Sequence, residues 1–209
     1  RALAAGTPLL LGTLGEIVAE RSGILNLGVE GMMSVGAVTG FMTAVATGSP
    51  WLGLLAAVAA GAAVSLLHAF ASITLRANQV VSGLALAMLG VGLSGLLGKP
   101  YIGGAAADAK ITVVRVPWLA DLPWVGRILF IKDLFFYLSI ALGLVIWFLL
   151  AHTRWGVRVR SVGENPAAAS VQGVGGAGVR YLCTAIGGGL SGMAGAHLSL
   201  AYSNSWSEG

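Results

Sequence analysis

The stretch LFFYLSIALGLVIWFLLA, residues 134–151, contains 18 residues and no charged side chain. A helix needs about 20 predominantly apolar residues to cross the hydrocarbon core of a bilayer, so this stretch predicts a transmembrane span. Runs of similar character occur at 2–18, 24–47, 51–75, 80–97 and 179–202. The sequence therefore predicts an all-α, polytopic transmembrane bundle of about six spans.

The composition of the chain is that of a membrane protein. Of its 209 residues 56% are hydrophobic and 10% are charged, and the mean hydropathy is +0.87, whereas soluble domains carry about 25% charged residues. The net charge of +4 comes from loops and span ends, so we interpret it as membrane topology and not as a nucleic-acid surface. A single cysteine, Cys183, excludes a disulfide framework and a cysteine-based metal site; no metal site is predicted.

The chain is predicted to form a single transmembrane domain, residues 1–209, whose loops lie on two opposite faces. A long polar loop at 99–133 lies on one face, and a second loop at 152–178 lies on the other. Lysine and arginine number six on each face, but those on the 152–178 face lie in shorter loops, which favours that face as cytoplasmic. Because the chain begins with Arg1 and stops without a closing helix, we expect a fragment of a longer protein.

Polar residues interrupt the first apolar sequence. The stretch GTLGEIVAERSGILNLGVEG, residues 12–31, contains Glu16, Glu20, Arg21, Asn26 and Glu30. We expect the first span to break at Gly15-Glu16, because transporters line substrate paths with broken helices. If this stretch is helical, Asn26 and Glu30, four residues apart, share a face, and we predict that they line or brace a polar path. An ordinary interfacial turn with one ion pair among Glu16, Glu20 and Arg21 remains the alternative.

Three more polar residues open the fourth apolar run: Asn78, Gln79 and Ser82. Two roles fit them equally. They hydrogen-bond a polar solute in the translocation pathway, or they cap the helix that follows.

The stretch HTRWGVRVRSVGENPAAASVQGV, residues 152–174, predicts a very short helix. Asn165 suits the N-cap and Pro166 the first helical position, while Glu164 places negative charge near the helix N-terminus. Isolated helices below about 12 residues are marginal in water, so we expect a partner to support this one. Its alanine face suits a protein groove better than the alternative, a layer of lipid headgroups.

Two motifs suggest other chemistry. The glycines at 173, 175, 176 and 178 match the dinucleotide pattern G-x-G-x-x-G, but no predicted strand precedes them, so we interpret them as a hinge. The chain also lacks the phosphate-binding pattern G-x-x-x-x-G-K-[ST], so any ATP hydrolysis belongs to a partner.

The stretch GGGLSGMAGAH, residues 187–197, resembles the Gly-x-Ser-Gly nucleophile of rhomboid-type intramembrane proteases, with Ser191 as the nucleophile. His197 lies six residues further on, which on a helix is about 240° around and about 9 Å along. A general base must come within about 3 Å, so close packing of small residues is the better interpretation.

Three separate stretches resemble one protein family: GEIVAERSGILNLGVEGMMSVGA at 15–37, ANQVVSG at 77–83 and VGENPAAASVQGV at 162–174. They are similar to the permease subunits of ABC importers in the ribose/branched-chain amino acid permease superfamily. The form ERSGxxNLGxEG is closest to the nucleoside-type branch. The resemblance covers essentially the whole chain, and because members of the family are longer, we expect about a first span and the last few spans to be missing here.

The resemblance implies that the loop at 152–178 carries a coupling helix, which fits a groove on the ATPase subunit. Its residues here are Gly163, Glu164, Asn165, Pro166, Ala167, Ala168 and Ala169. The expected partners are ATPase subunits that hold ATP and Mg²⁺, a second permease subunit of the same or another kind, and an extracytoplasmic binding protein facing the 99–133 loop. No catalytic residue, no cofactor and no nucleic-acid partner is expected on this chain.

The function implied is translocation of nucleosides, or of simple sugars, across the plasma membrane of a bacterium or archaeon. Two alternatives remain open: an intramembrane serine protease, and an ion-coupled secondary transporter that needs no ATP.

Overall fold

The computed structural model of the chain describes residues 2–103, 113–115 and 131–203. Its helices are α1 Ala2–Arg21, α2 Val29–Thr47, α3 Pro50–Ala69, α4 Gln79–Gly98, α5 Leu134–His152, α6 Arg154–Glu164, α7 Pro166–Val171 and α8 Gly176–His197. Single π-helical turns continue α3 through Phe70–Thr74 and α8 through Leu198–Tyr202, and a 3-10 turn, Lys99–Tyr101, follows α4.

Five of these helices are long and apolar enough to cross a bilayer: Leu3–Arg21, Val29–Thr47, Pro50–Thr74, Gln79–Tyr101 and Leu134–His152. The predicted all-α polytopic bundle is confirmed. The sixth predicted span, 179–202, forms most of α8 and its π-helical turn, but it is not among the five described helices of this apolarity. Most of α8 is buried in protein, so it needs small residues for contact with neighbouring helices more than it needs apolar surface for lipid.

The predicted break in the first span is wrong. α1 continues through Gly15 and Glu16 to Arg21. At Gly15 a Cβ atom would lie 2.6 Å from the carbonyl oxygen of Gly187, so this glycine permits a close crossing with α8 and does not end the helix. The non-helical backbone is instead residues 22–28, here called the α1–α2 linker.

Helix α8 lies at the centre of the bundle, against α1, α2 and α3. Glycines form the crossings: Gly187 faces Gly15 of α1, and Gly192 faces both Gly36 of α2 and Gly61 of α3. A Cβ atom at any of these positions would press on the opposite backbone. The predicted role of this glycine-rich stretch in close helix packing is therefore confirmed.

Two short antiparallel strands lie within the long loop, the second of them at its end. β1, Val113–Arg115, pairs with β2, Ile131–Asp133, with Val113 opposite Asp133. The remaining loop residues, 104–112 and 116–130, lie outside the described residues.

Asp133 joins β2 to two helices. Its side chain caps α5 by accepting a hydrogen bond from the backbone N–H of Phe136 at 2.9 Å, and its Oδ2 lies 3.2 Å from Nε2 of the buried His197 in α8. Burial acts to raise the pKa of Asp133, but the hydrogen bonds from His197 and Phe136 outweigh it, and the net pKa is lowered. The contact ties the last strand of the loop to the central helix.

Candidate functional site

Backbone N–H and C=O groups of the α1–α2 linker have no partners within a helix. Side chains from other helices form hydrogen bonds with several of these groups. Gln79 of α4 accepts from the Leu25 N–H at 2.7 Å and donates to the Gly23 carbonyl at 3.4 Å. Glu16 of α1 accepts from the Asn26 N–H at 2.8 Å. Because an unpaired backbone group costs several kcal/mol at membrane depth, these bonds stabilise an irregular segment between two spans.

His68 of α3 holds the same linker from another direction. Its Nε2 lies 3.1 Å from the Leu25 carbonyl oxygen, and its Nδ1 lies 3.1 Å from the Ser82 hydroxyl. A carbonyl only accepts, so we assign the proton to Nε2, and Nδ1 then accepts from Ser82. The ring, which is 1% exposed, connects α3, α4 and the linker.

Arg180, in the second turn of α8, joins the linker to α6. Its Nε donates to the Ser22 carbonyl at 3.1 Å, and its Nη2 donates to the Val162 carbonyl at 3.4 Å. Beside it Gly163 lies against the linker so closely that a Cβ atom would overlap the Arg21 carbonyl. Gly23 has φ +86°, a conformation that favours glycine.

A cavity of about 380 Å³ opens where the linker meets α1, α2 and α4. Its polar lining comes from Glu16, Glu20, Asn26 and Glu30, and its apolar lining from Leu25, Leu27, Val29, Leu84 and Ala87. One oxygen of Glu16, Oε2, is buried with no hydrogen-bond partner in the described part of the chain. The volume lies within the range of small-molecule sites.

Residues 154–171 form two helices in succession, α6 and α7. α7 begins as predicted, because Asn165 accepts from the Ala168 N–H at 3.0 Å and Pro166 occupies the first turn. It has six residues, and Gly173, with φ +77°, follows it. The helix therefore starts and stops on local signals.

Comparison with known proteins identifies the family. Residues 1–209, the whole chain, match the family described as the permease component of branched-chain amino acid transport systems. The chain belongs to this permease family. The resemblance inferred from the three sequence stretches is confirmed.

Three relatives show the extent of the match. TsgC13 of Haloferax volcanii, whose name provisionally describes a glucose ABC transporter permease, is 44% identical to this chain. The aligned region covers 98% of this chain and 63% of TsgC13. The guanosine ABC transporter permease protein NupQ of Bacillus subtilis is 41% identical, with 90% and 62% covered. The nucleoside ABC transporter permease protein NupC of Lactococcus lactis is 37% identical, with 96% and 66% covered. The chain thus spans about two thirds of the length of these relatives.

No solved structure matches the permease. Its family and its five apolar helices identify a multi-pass protein of the plasma membrane.

Asn26 and Glu30 do not share a helical face, because the stretch is not helical at Asn26. Asn26 lies in the linker, where it is 2% exposed and its Oδ1 accepts from the Gly28 N–H at 3.0 Å, while Glu30 is exposed in the first turn of α2. α2 begins at Val29, after the Asn26 N–H has bonded Glu16, so the two side chains line the same cavity but not one helical face. Their role in the pathway stays a prediction.

The other three predicted pathway residues make structural contacts. Asn78 caps α4 by accepting from the N–H groups of Val80 and Val81 at 3.0 and 3.2 Å. Gln79 holds the linker, and Ser82 binds His68. None of the three lines the cavity described above, and their part in translocation stays a prediction.

Helix α6 was not predicted, because residues 152–164 were interpreted as loop. Its buried positions are Gly156, Val159 and Val162, and their spacing of three residues is the signal that reveals an amphipathic helix. Arg160 donates to the Leu150 carbonyl and so fastens α6 to the end of α5.

The permease itself supplies part of the support that α7 needs. Ala169 is 5% exposed, and its carbonyl accepts from the Val174 N–H at 3.0 Å. The opposite side of α7 is open, since Ala167 and Ala168 are exposed and Val171 is 89% exposed. The predicted partner on that side stays a prediction.

The geometry opposes a serine protease. Ser191 is 1% exposed, and its hydroxyl donates to the Gly187 carbonyl at 3.0 Å. The three histidines have other neighbours: His68 binds Ser82 and Leu25, His197 binds Asp133, and His152 stacks on Phe148. Among the described residues, no histidine is therefore a hydrogen-bond partner of Ser191, and no group of three or more metal-ligating side chains occurs.

Proposed function

We propose that this permease is the membrane-spanning subunit of an ATP-binding-cassette importer. The observation that carries the proposal is the placement of the exposed α7, which is connected through α6 to the linker beside the cavity. A docking helix that is connected to a polar cavity suits a transporter in which an ATPase partner opens and closes the translocation pathway.

We propose nucleosides as the solute, with simple sugars as the second candidate. Two relatives are named for guanosine and nucleosides, and another is named for glucose. Nucleosides and sugars present hydroxyl donors, and the carboxylates that line the cavity, Glu16, Glu20 and Glu30, are suitable acceptors. Asn26 and Glu30 would line the path for such a solute.

The energy source would lie on other chains. The sequence has no phosphate-binding G-x-x-x-x-G-K-[ST] motif, so ATP and Mg²⁺ would bind the ATPase partners, and this permease would not itself be an enzyme. A second permease subunit would complete the channel, and a binding protein would deliver the solute at the face of the 99–133 loop.

The proposal is tested by reconstituting the complete permease polypeptide with its ATPase, its second permease and its binding protein in liposomes. We expect labelled guanosine to enter only with ATP on the ATPase side and with binding protein on the other. Uptake driven by a membrane potential without ATP would contradict the proposal and identify an ion-coupled carrier. Competition by adenosine, ribose or glucose distinguishes the solute classes.

Ser191→Ala provides the control against the protease alternative. Because the Ser191 hydroxyl only bonds its own helix, we expect the variant to keep near-normal uptake. Complete loss of function in a variant that accumulates normally in the membrane would favour the protease.

A further inference from the structure

We propose that Arg180 is the positioning residue that transmits movement of α6 and α7 to the α1–α2 linker, and so to the cavity. This inference rests on the proposed function, because it names the joint through which a docked ATPase would act. Neither the cap of α7 nor the cavity lining contains Arg180.

The first observation is that one guanidinium group bonds two elements that no chain segment joins directly. Arg180 donates from Nε to the Ser22 carbonyl and from Nη2 to the Val162 carbonyl. Bonds from a charged donor are stronger than neutral ones, and the planar guanidinium fixes the angle between them. Ser22 and Val162 are therefore held at a set separation.

The second observation is a backbone contact beside the guanidinium. The Cα of Gly163 lies 3.3 Å from the position that a Cβ atom of Gly23 would occupy, and a Cβ atom at Gly163 would overlap the Arg21 carbonyl. Gly163 touches Arg21 and Gly23 through backbone atoms, next to the Arg180 guanidinium, so a displacement of the end of α6 acts directly on the linker. Close-packed interiors transmit such strain because they have low compressibility.

The third observation is the short distance along the chain from this joint to the cavity. Leu25, Asn26 and Leu27 line the cavity, and Asn26 follows Gly23 by three residues. On the far side His68, Gln79 and Glu16 hold Leu25 and Asn26 by hydrogen bonds. A push on the linker at Ser22 and Gly23 would therefore change the cavity wall or these bonds.

Arg180 is the cation whose side chain bonds both α6 and the linker. Arg160 is engaged with the Leu150 carbonyl, and among the described residues no arginine forms an ion pair with a carboxylate. Arg180 therefore bonds backbone carbonyls and not a carboxylate.

The test measures uptake and ATP hydrolysis in the same reconstituted importer. We expect Arg180→Gln to lower guanosine uptake per ATP hydrolysed by about ten-fold, within the usual range of coupling between sites, while basal hydrolysis stays normal. Arg180→Lys keeps a charged donor that reaches one carbonyl, so we expect it to restore coupling in part. Arg154→Gln, at an exposed arginine at the start of α6, is the matched control and should couple normally.

A second variant keeps the inference testable if Arg180→Gln fails to fold. Gly163→Ala leaves Arg180 unchanged but forces the end of α6 away from the Arg21 carbonyl, so we expect the same fall in uptake per ATP. A purely structural role for Arg180 predicts less folded protein with an unchanged ratio, and that result would overturn the inference. Absence of ATP-driven uptake in the wild-type importer would instead defeat the proposed function.

Discussion

Replacing Glu164 with arginine is expected to abolish ATP-dependent uptake while the amount of permease in the membrane stays normal. Glu164 ends α6 immediately before the N-cap of α7, and its side chain is exposed. It lines a cavity of about 210 Å³ between α6 and α7. Since the N-terminus of a helix carries partial positive charge, a positive side chain there opposes α7 and alters the surface on which the ATPase would dock.

Two variants isolate the cause of that loss. Glu164→Gln removes the charge without reversing it, and we expect intermediate uptake. Ala77→Arg adds a positive charge to an exposed turn between α3 and α4 and should transport normally. The measurement is ATP-dependent guanosine uptake, normalised to permease in the membrane. Normal uptake by Glu164→Arg would count against a coupling role for this end of α6.

The second large effect is expected from Gly192→Val, which should prevent stable accumulation of the permease. A Cβ atom at Gly192 would overlap the Ala57 carbonyl and lie 3.2 Å from the Cα of Gly61. Backbone cannot move aside as a flexible side chain does, so we expect destabilisation of about 3 kcal/mol or more, at the upper end for overpacked cores. Folded proteins have only about 5–15 kcal/mol of stability to lose.

Gly92→Val is the matched control for that substitution. Gly92 also lies within a membrane helix, but a Cβ atom there would meet no atom within 4 Å. Both variants carry the same change in side chain and in helix propensity. The difference in stability between them therefore reports how closely α8 packs against its neighbouring helices. The measurement is the amount and the melting temperature of monodisperse protein in detergent. Equal stability of the two variants would contradict the central position of α8.

Features that depend on neighbouring residues in the chain were predictable from sequence. The cap of α7 needs only Asn165, Pro166 and the Ala168 N–H, which lie within three residues of one another. The apolar spans were recognisable for the same reason, because hydropathy is a local property. α6 was not predicted although its pattern is local, because the whole segment 152–178 was interpreted as a loop whose only helix is α7.

The linker shows what local patterns do not contain. Its polar residues predicted a break in the helix, but the break was expected at Gly15-Glu16 and occurs at 22–28. The groups that stabilise it are distant in sequence: Leu25 is bonded by Gln79 and His68, 54 and 43 residues away, and Ser22 by Arg180, 158 residues away. A charged residue at the start of a span predicts topology, and nothing near Arg180 in the sequence indicates its partners.

The glycines of α8 lie between these two cases. Their number predicted close helix packing, and the crossings confirm it. Which glycine meets which helix depends on the assembled bundle, so the pairing of Gly192 with Gly36 and Gly61 required the structure.

The most direct test of the account is to identify what touches the exposed side of α7 in native membranes. A photocrosslinking amino acid at Ala167, which is exposed, is expected to capture an ATPase subunit, identified by its labelling with an ATP analogue and by mass spectrometry. The same probe at Leu96, which is 71% exposed on a membrane helix, provides the comparison for contact with lipid. Capture of the ATPase at position 167 alone is the predicted result, and capture of phospholipid only at that position would contradict the account.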